Sequence, residues 1–227
     1  MKLSARKIKA IAFDLDGTLI DSRMDIALSA NHALVTHQLG DRSVEELSSF
    51  VGDGARKLLE RATKLDADNP LLDLATQTFM GHYVLHGSDN TRLIDGTDAC
   101  LALASRVPVA LCTNKARIAT LPILSALGIA ESFSIVLCGD DLSEKKPHPA
   151  PMLHLAEQFG ILPSELAMVG DGPQDVGSAK AAGAFAVGVI GPLLGPMRVT
   201  ESGPHMLLAS LRAVPEALAP LIHDTIR

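Results

Sequence analysis

Two aspartates, Asp14 and Asp16, close the stretch KAIAFDLD directly after an apolar run, and a glycine and a threonine follow them. Acidic residues are poor strand formers and costly to bury. Three further apolar runs end in similar residues. Residues 107–112 lead into Thr113 and Asn114, and residues 133–138 into Asp140 and Asp141, shortly before Lys145 and Lys146. Residues 166–169 lead into Asp171, with Asp175 one helical turn on. Asp and Asn often cap helices after strands, but such a set at successive strand ends exceeds what capping requires. Crowded carboxylates repel, and a divalent cation relieves the repulsion. A few hard oxygen donors with room for water suit Mg2+, which completes its shell with substrate phosphate. An ammonium and a hydroxyl nearby bind phosphate, and a backbone turn at 15–17 can add N–H donors. The set is therefore suited to hold a phosphoryl group beside a metal. With no Ser-His or Cys-His arrangement available, a carboxylate must be the attacking group. His148, set between Pro147 and Pro149, reads as a loop residue.

These residues can act together only if the fold gathers their strand ends. The first strand is expected at 8–13. Ser22 can cap a helix reaching about Leu39, with Ile26, Ala30, Ala33 and Leu34 at helical spacing and Gly40 ending it. SVEE at 43–46 is a capping-box pattern. ARKLLERATKL and residues 71–86 also read as helices, so 22–88 is nearly all helical. After the turn-rich GSDNTRLIDGT, short apolar runs alternate with helices in units that match a parallel sheet. Residues 191–204 read as a Gly/Pro-rich loop, and 206–222 as helix broken at Pro215 and Pro220. The expected class is α/β: a Rossmann-like three-layer parallel-sheet core with a helical insertion after strand 1. The core would comprise residues 1–20 and 90–227, and the insertion residues 21–89. In such sheets ligands bind beyond the carboxyl ends of the strands, where the acids lie.

Composition agrees with a globular protein. The chain has 227 residues, 47% hydrophobic but only 3% aromatic and without Trp, so the core must be aliphatic. A net charge of −6 with scattered lysines and arginines gives no nucleic-acid surface. The three cysteines, Cys100, Cys112 and Cys138, lie in apolar contexts and are expected to be reduced and buried, as suits a cytoplasmic protein. The apolar run near the N-terminus is too short for a signal peptide, and no stretch approaches the ~18 residues of a membrane span.

In this order, DLDGTLIDS, LCTNK, KKPHPAP and GDGPQDV resemble the four motifs of the haloacid dehalogenase-like hydrolase superfamily. The resemblance covers essentially the whole chain. Within the superfamily, VGDGARKLLERA, GTDACLALAS, CTNKARIATLPILSALGI and GDDLSEKKPHPAPMLHLAEQFGI are most similar to the phosphoglycolate phosphatases. The resemblance implies that the insertion is a C1 cap that closes on substrate. It implies Mg2+-dependent hydrolysis of a small phosphate monoester through an aspartyl-phosphate, with 2-phosphoglycolate the leading substrate. Asp14 would be the nucleophile. Asp16 would protonate the leaving alkoxide and then activate water. The metal would be held by the carboxylates of Asp14 and Asp171 and the backbone carbonyl of Asp16. Thr113, Asn114 and Lys146 would bind the phosphoryl oxygens, and Asp175 would orient Lys146 or a water on the metal. Lys146 is preferred to Lys145 because the family pattern is Lys-Pro. In the cap, Gly52 and Gly54 could offer N–H groups to a carboxylate, with Arg56 adding charge. The partner is then a small phosphorylated metabolite, with no nucleic acid and no membrane, for a monomer or homodimer. Motif four departs from the family's GDSxxDI at Gly172 and Pro173, and VIGPLLGP lacks a Gly-Tyr-Asn-like sequence. The alternatives are another phosphatase or a pyrophosphatase of this family, a sugar-phosphate mutase, or a silent phosphate-binding module.

Overall fold

The structure, a computed structural model, describes residues 7–223. In chain order its elements are β1 (Ala10–Phe13), β2 (Ile20–Asp21), α1 (Arg23–Thr36), α2 (Val44–Ser48), α3 (Ala55–Thr63) and α4 (Pro70–His86). Then come β3 (Arg92–Leu93), α5 (Thr97–Leu101), β4 (Val109–Cys112), α6 (Arg117–Ala126), β5 (Ile135–Leu137) and α7 (Ala150–Gln158). The chain continues with β6 (Leu166–Gly170), α8 (Pro173–Ala182), β7 (Phe185–Val189), α9 (Gly195–Glu201), β8 (Met206–Leu208) and α10 (Val214–Leu218). Among the described residues no helix is long and apolar enough to cross a membrane.

Six strands form one parallel sheet in the order β5-β4-β1-β6-β7-β8. The chain winds outward from β1 through β4 to β5, then returns to the other side of β1. The order therefore reverses beside β1, which is where open α/β sheets leave a binding crevice. Phe13 lies level with Leu111 of β4 and Val169 of β6. The residues just beyond these three strands thus emerge side by side at one edge.

Period-2 alternation separates the two faces of β1. Ile11 and Phe13 join a cluster with Val109, Leu111 and Val169, covered by Cys100, Ile123 and Leu218 of α5, α6 and α10. Ala10 and Ala12 face the other way, with Ala110, Met168 and Ala186, under Leu155 of α7 and Val176 of α8. The alanines let that helix layer approach closely. The result is the three-layer arrangement expected from the alternating pattern. The first cluster also runs on into Ile26, Leu34, Leu59, Phe79 and Tyr83 of α1, α3 and α4.

Two expectations fail near the C-terminus. Residues 206–208 form β8, the sheet's edge strand, where helix was expected, and 195–201 form α9 within the expected loop. Three apolar residues cannot distinguish strand from helix by periodicity, and only pairing with β7 decides it. The proline of α9 sits in its first turn, where its missing N–H costs nothing. Half of the SVEE capping box forms: the Ser43 side chain accepts from the Glu46 N–H at 3.1 Å, while the Glu46 carboxylate faces Arg42 Nε at 3.6 Å. Ser22 starts α1 but makes no side-chain cap; its hydroxyl is used at the site described below.

The chain leaves β1 for the helices and returns through the antiparallel pair β2–β3, with Ile20 opposite Leu93 and Asp21 opposite Arg92. The Asp21 carboxylate binds Arg23 at the start of α1, accepting from its Nε at 2.9 Å. Asp25, buried on α1, clasps the returning strand. It accepts from the backbone N–H of Asn90 at 2.9 Å and of Thr91 at 2.8 Å, and from the Thr91 hydroxyl at 2.8 Å. Asp25→Ala would leave those donors unpaired in the interior. It is expected to lower the unfolding free energy by about 3 kcal/mol, read as a lower urea midpoint with unchanged slope.

Candidate active site

Asp14 follows β1, Thr113 follows β4 and Asp171 follows β6, so the switch point brings together residues far apart in the chain. Lys146 reaches them from the segment after β5 and is 1% exposed. Its ammonium donates to Asp14 Oδ1 at 2.8 Å, Asp175 Oδ1 at 2.6 Å and the Cys112 carbonyl at 2.6 Å, which uses all three of its N–H groups. The second oxygen of Asp175 accepts from the Gly172 N–H at 3.0 Å. Asp175 is thereby fixed at the start of α8 while it holds Lys146. Lys145 turns away, and its ammonium donates to the Asp53 carbonyl at 2.5 Å.

Asp171 is 1% exposed, and Thr18 donates to its Oδ1 at 3.2 Å. Its Oδ2 is buried with no partner. Oxygens of Asp14, Asp171 and Asp175 lie within 4.8 Å of one another. Burial first, then the neighbouring carboxylates, push Asp171 well above the usual range. Burial and Asp175 push Asp14 up to about 7 against the pull of Lys146. One orphaned carboxylate oxygen among crowded acids, with one lysine already saturated, leaves uncompensated negative charge. These residues therefore fit a hard divalent cation such as Mg2+. Gly17, at φ +84°, makes room for the arrangement, because a Cβ there would lie 2.2 Å from Asp171 Oδ2. A Cβ on Gly191 would come within 2.1 Å of the Gly17 carbonyl, so the VIGPLLGP stretch packs directly on the motif-one turn.

Asp16 lies apart from this cluster. Its Oδ1 accepts from the Ser22 hydroxyl at 2.5 Å, and its Oδ2 pairs with Lys115 at 3.0 Å. Lys115 also donates to the Tyr83 hydroxyl of α4 at 2.7 Å. Burial opposes the Lys115 charge, but Asp16 and Tyr83 together hold its pKa above the ordinary lysine range.

Asp14, Asp16, Thr113 and Lys115 border a cavity of about 250 Å³, which Ile26, Leu58 and Phe79 also line. Thr113 is buried and its Oγ1 accepts the Lys115 N–H at 3.2 Å. Asn114 does not offer its amide to the cavity. The amide donates to the carbonyls of Lys146 and of Gly52, both at 2.8 Å, tying the 51–54 loop to the sheet edge. Gly52 and Gly54 line the cavity as expected from sequence. Arg56 lines it as well, although its charge is shared with the neighbouring helix. Its guanidinium binds the Asp73 carboxylate at 2.9 Å and the Ala67 carbonyl at 2.7 Å. Asp53, between the two glycines, pairs with Arg61, and Gly54 caps α3. The departure at Gly172 has a local reason. A Cβ there would fall 2.2 Å from the Gln174 amide, which occupies the space a serine would take and abuts Gly52. The three cysteines are buried and unpaired.

Sequence reasoning missed Lys115, Tyr83, Ser22 and Thr18. The signals were slight: a lysine two places past a strand-end threonine, and the chain's single tyrosine.

A Rossmann-like sheet with this acid cluster at its switch point defines a class, and comparison agrees. The haloacid dehalogenase-like hydrolase family matches residues 11–189, and the chain belongs to it. Among its relatives, a phosphoglycolate phosphatase of Neisseria meningitidis is 38% identical over 97% of both chains. Another, from Chromobacterium violaceum, is 40% identical over 82% of this chain and 87% of that protein. The crystal structure of a "predicted phosphoglycolate phosphatase" from Haemophilus somnus superposes with a TM-score of 0.85. It is 31% identical and covers 92% of this chain and 97% of its own. The chain is thus an enzyme of the phosphatase kind within the family.

Proposed function

We propose that this enzyme hydrolyses a small phosphate monoester, 2-phosphoglycolate first among candidates, through an aspartyl-phosphate on Asp14. The observation that carries the reading is the convergence of Asp14, the unpartnered Asp171 oxygen and the saturated Lys146 at one strand edge. The relatives' names supply the substrate.

Asp14 attacks phosphorus, and the bond to the ester oxygen breaks as the Asp14–phosphorus bond forms. Asp16 gives its proton to the departing alkoxide. It then takes a proton from the water that splits the aspartyl-phosphate into free Asp14 and inorganic phosphate. Thr113 donates to the phosphoryl oxygens, Lys146 sets its charge beside them from its bond to Asp14 and binds them as that bond yields, the Asn114 amide keeps the 51–54 loop in place, and Asp175 fixes Lys146. Phosphoryl transfer depends on such positioning and charge neutralisation more than on covalent chemistry. Mg2+, held by the carboxylates of Asp14 and Asp171 and the Asp16 carbonyl, would neutralise charge on the transferring group. The α1–α4 segment is read as a cap, residues 21–89, over a core of residues 1–20 and 90–227. The buried thiols suit a reducing compartment, and the enzyme is read as cytoplasmic.

The test is phosphate release from a panel of monoesters. Release is expected to stop on chelation and return with Mg2+, with the highest kcat/KM on 2-phosphoglycolate. Undiminished turnover in chelator would overturn the role of the acid cluster.

A further inference from the structure

We infer that Lys115, steadied by Tyr83, reads an anionic group carried by the leaving alcohol, next to its ester oxygen. This rests on the phosphatase reading and deepens it, because it names the residue that selects the substrate class.

The cations near the cavity divide sharply. Lys146 is saturated, Lys145 is bound to the Asp53 carbonyl, and Arg56 is bound to Asp73 and Ala67. Lys115 lines the same cavity with its side chain 8% exposed. An ammonium has three N–H groups, and Asp16 and Tyr83 engage two of them. Lys145 and Arg56 line the cavity too and keep further N–H groups, but they are tied to the Asp53 carbonyl and to Asp73; Lys115 is the cavity cation paired with Asp16, and it has a donor left for a ligand there. The Tyr83 ring adds a second hold, its centroid 4.5 Å from the ammonium.

Position then decides what Lys115 meets. Both Asp16 oxygens are occupied, one by Ser22 and one by Lys115. A leaving oxygen that comes to Asp16 Oδ2 arrives beside Lys115. A carboxylate one carbon from that oxygen falls within the ammonium's reach. The apolar lining residues Ile26, Leu58 and Phe79 offer an anion nothing. A cavity of about 250 Å³ that also takes the phosphoryl group leaves space for only a short leaving group. Short alcohols bearing a carboxylate are the class that satisfies each condition.

The experiment compares 2-phosphoglycolate with ethyl phosphate, which has the same two-carbon chain but lacks the carboxylate. In the wild type the ratio of kcat/KM values should favour 2-phosphoglycolate strongly. In Lys115→Met that ratio is expected to fall about 10- to 100-fold, the size of a lost charge-assisted hydrogen bond, with most of the change in KM for 2-phosphoglycolate. Tyr83→Phe keeps the charge and should lower the ratio about threefold. It carries the test alone if the lysine variant does not fold. If Lys115 merely positioned Asp16, both esters would suffer equally. An unchanged ratio in the folded variants would therefore overturn this inference alone. A wild type that releases phosphate from neither ester would overturn the phosphatase reading and this inference with it.

Discussion

Replacing Asp14 with Asn is expected to reduce phosphate release at least a thousandfold while the protein stays folded. The amide occupies nearly the same volume but cannot attack phosphorus, and the other acids at the switch point are engaged by Lys146, Thr18 or Lys115. The fold should tolerate the change because two effects oppose. Asn cannot pair with Lys146 as a charge, yet it removes a carboxylate that burial and Asp175 push up to about 7. Lys146 keeps Asp175 and the Cys112 carbonyl as partners. The net shift in stability should be about 1 kcal/mol, a few degrees in a melting curve. A folded variant that kept most of its activity would remove Asp14 from the mechanism.

Lys146→Met should damage both activity and stability. Lys146 is the one buried cation bridging Asp14 and Asp175, and the thioether of Met fills much of its volume without its charge. Three buried carboxylates would then face one another with no cation from the protein. Breaking a buried ion pair from one side costs about 3–5 kcal/mol, and the loss should show in urea unfolding without added metal. Turnover should also fall a thousandfold or more, because the phosphoryl oxygens lose their ammonium. Raising Mg2+ should recover part of the stability, since a cation bound to the folded state shifts the equilibrium, but not the turnover. A variant as stable as the wild type would mean that those acids are already neutral in the folded protein.

What could be read from the sequence was what is local and periodic. Asp14, Thr113 and Asp171 end apolar runs, and a parallel sheet aligns such ends automatically. Gly17 was legible as a turn residue, although its reason, the Asp171 oxygen that a Cβ would strike, lies far along the chain. Contacts between distant elements were not legible. Nothing local in ARKLL says that Arg56 will be captured by Asp73 on the next helix. Ser22 has the look of a helix cap, and only the turn after β1 shows that its hydroxyl belongs to Asp16. Lys115 gains its meaning from Tyr83, whose helix must first pack across the cavity. Edge strand β8 is too short for a period and is defined by its neighbour.

The most direct test of the central claim is to mix enzyme, Mg2+ and 2-phosphoglycolate, quench in acid within a turnover, and map the protein by mass spectrometry. The expected result is one phosphoryl group on the peptide carrying Asp14, absent from Asp14→Asn. Phosphate release with no labelled peptide, or with the label on another residue, would contradict it.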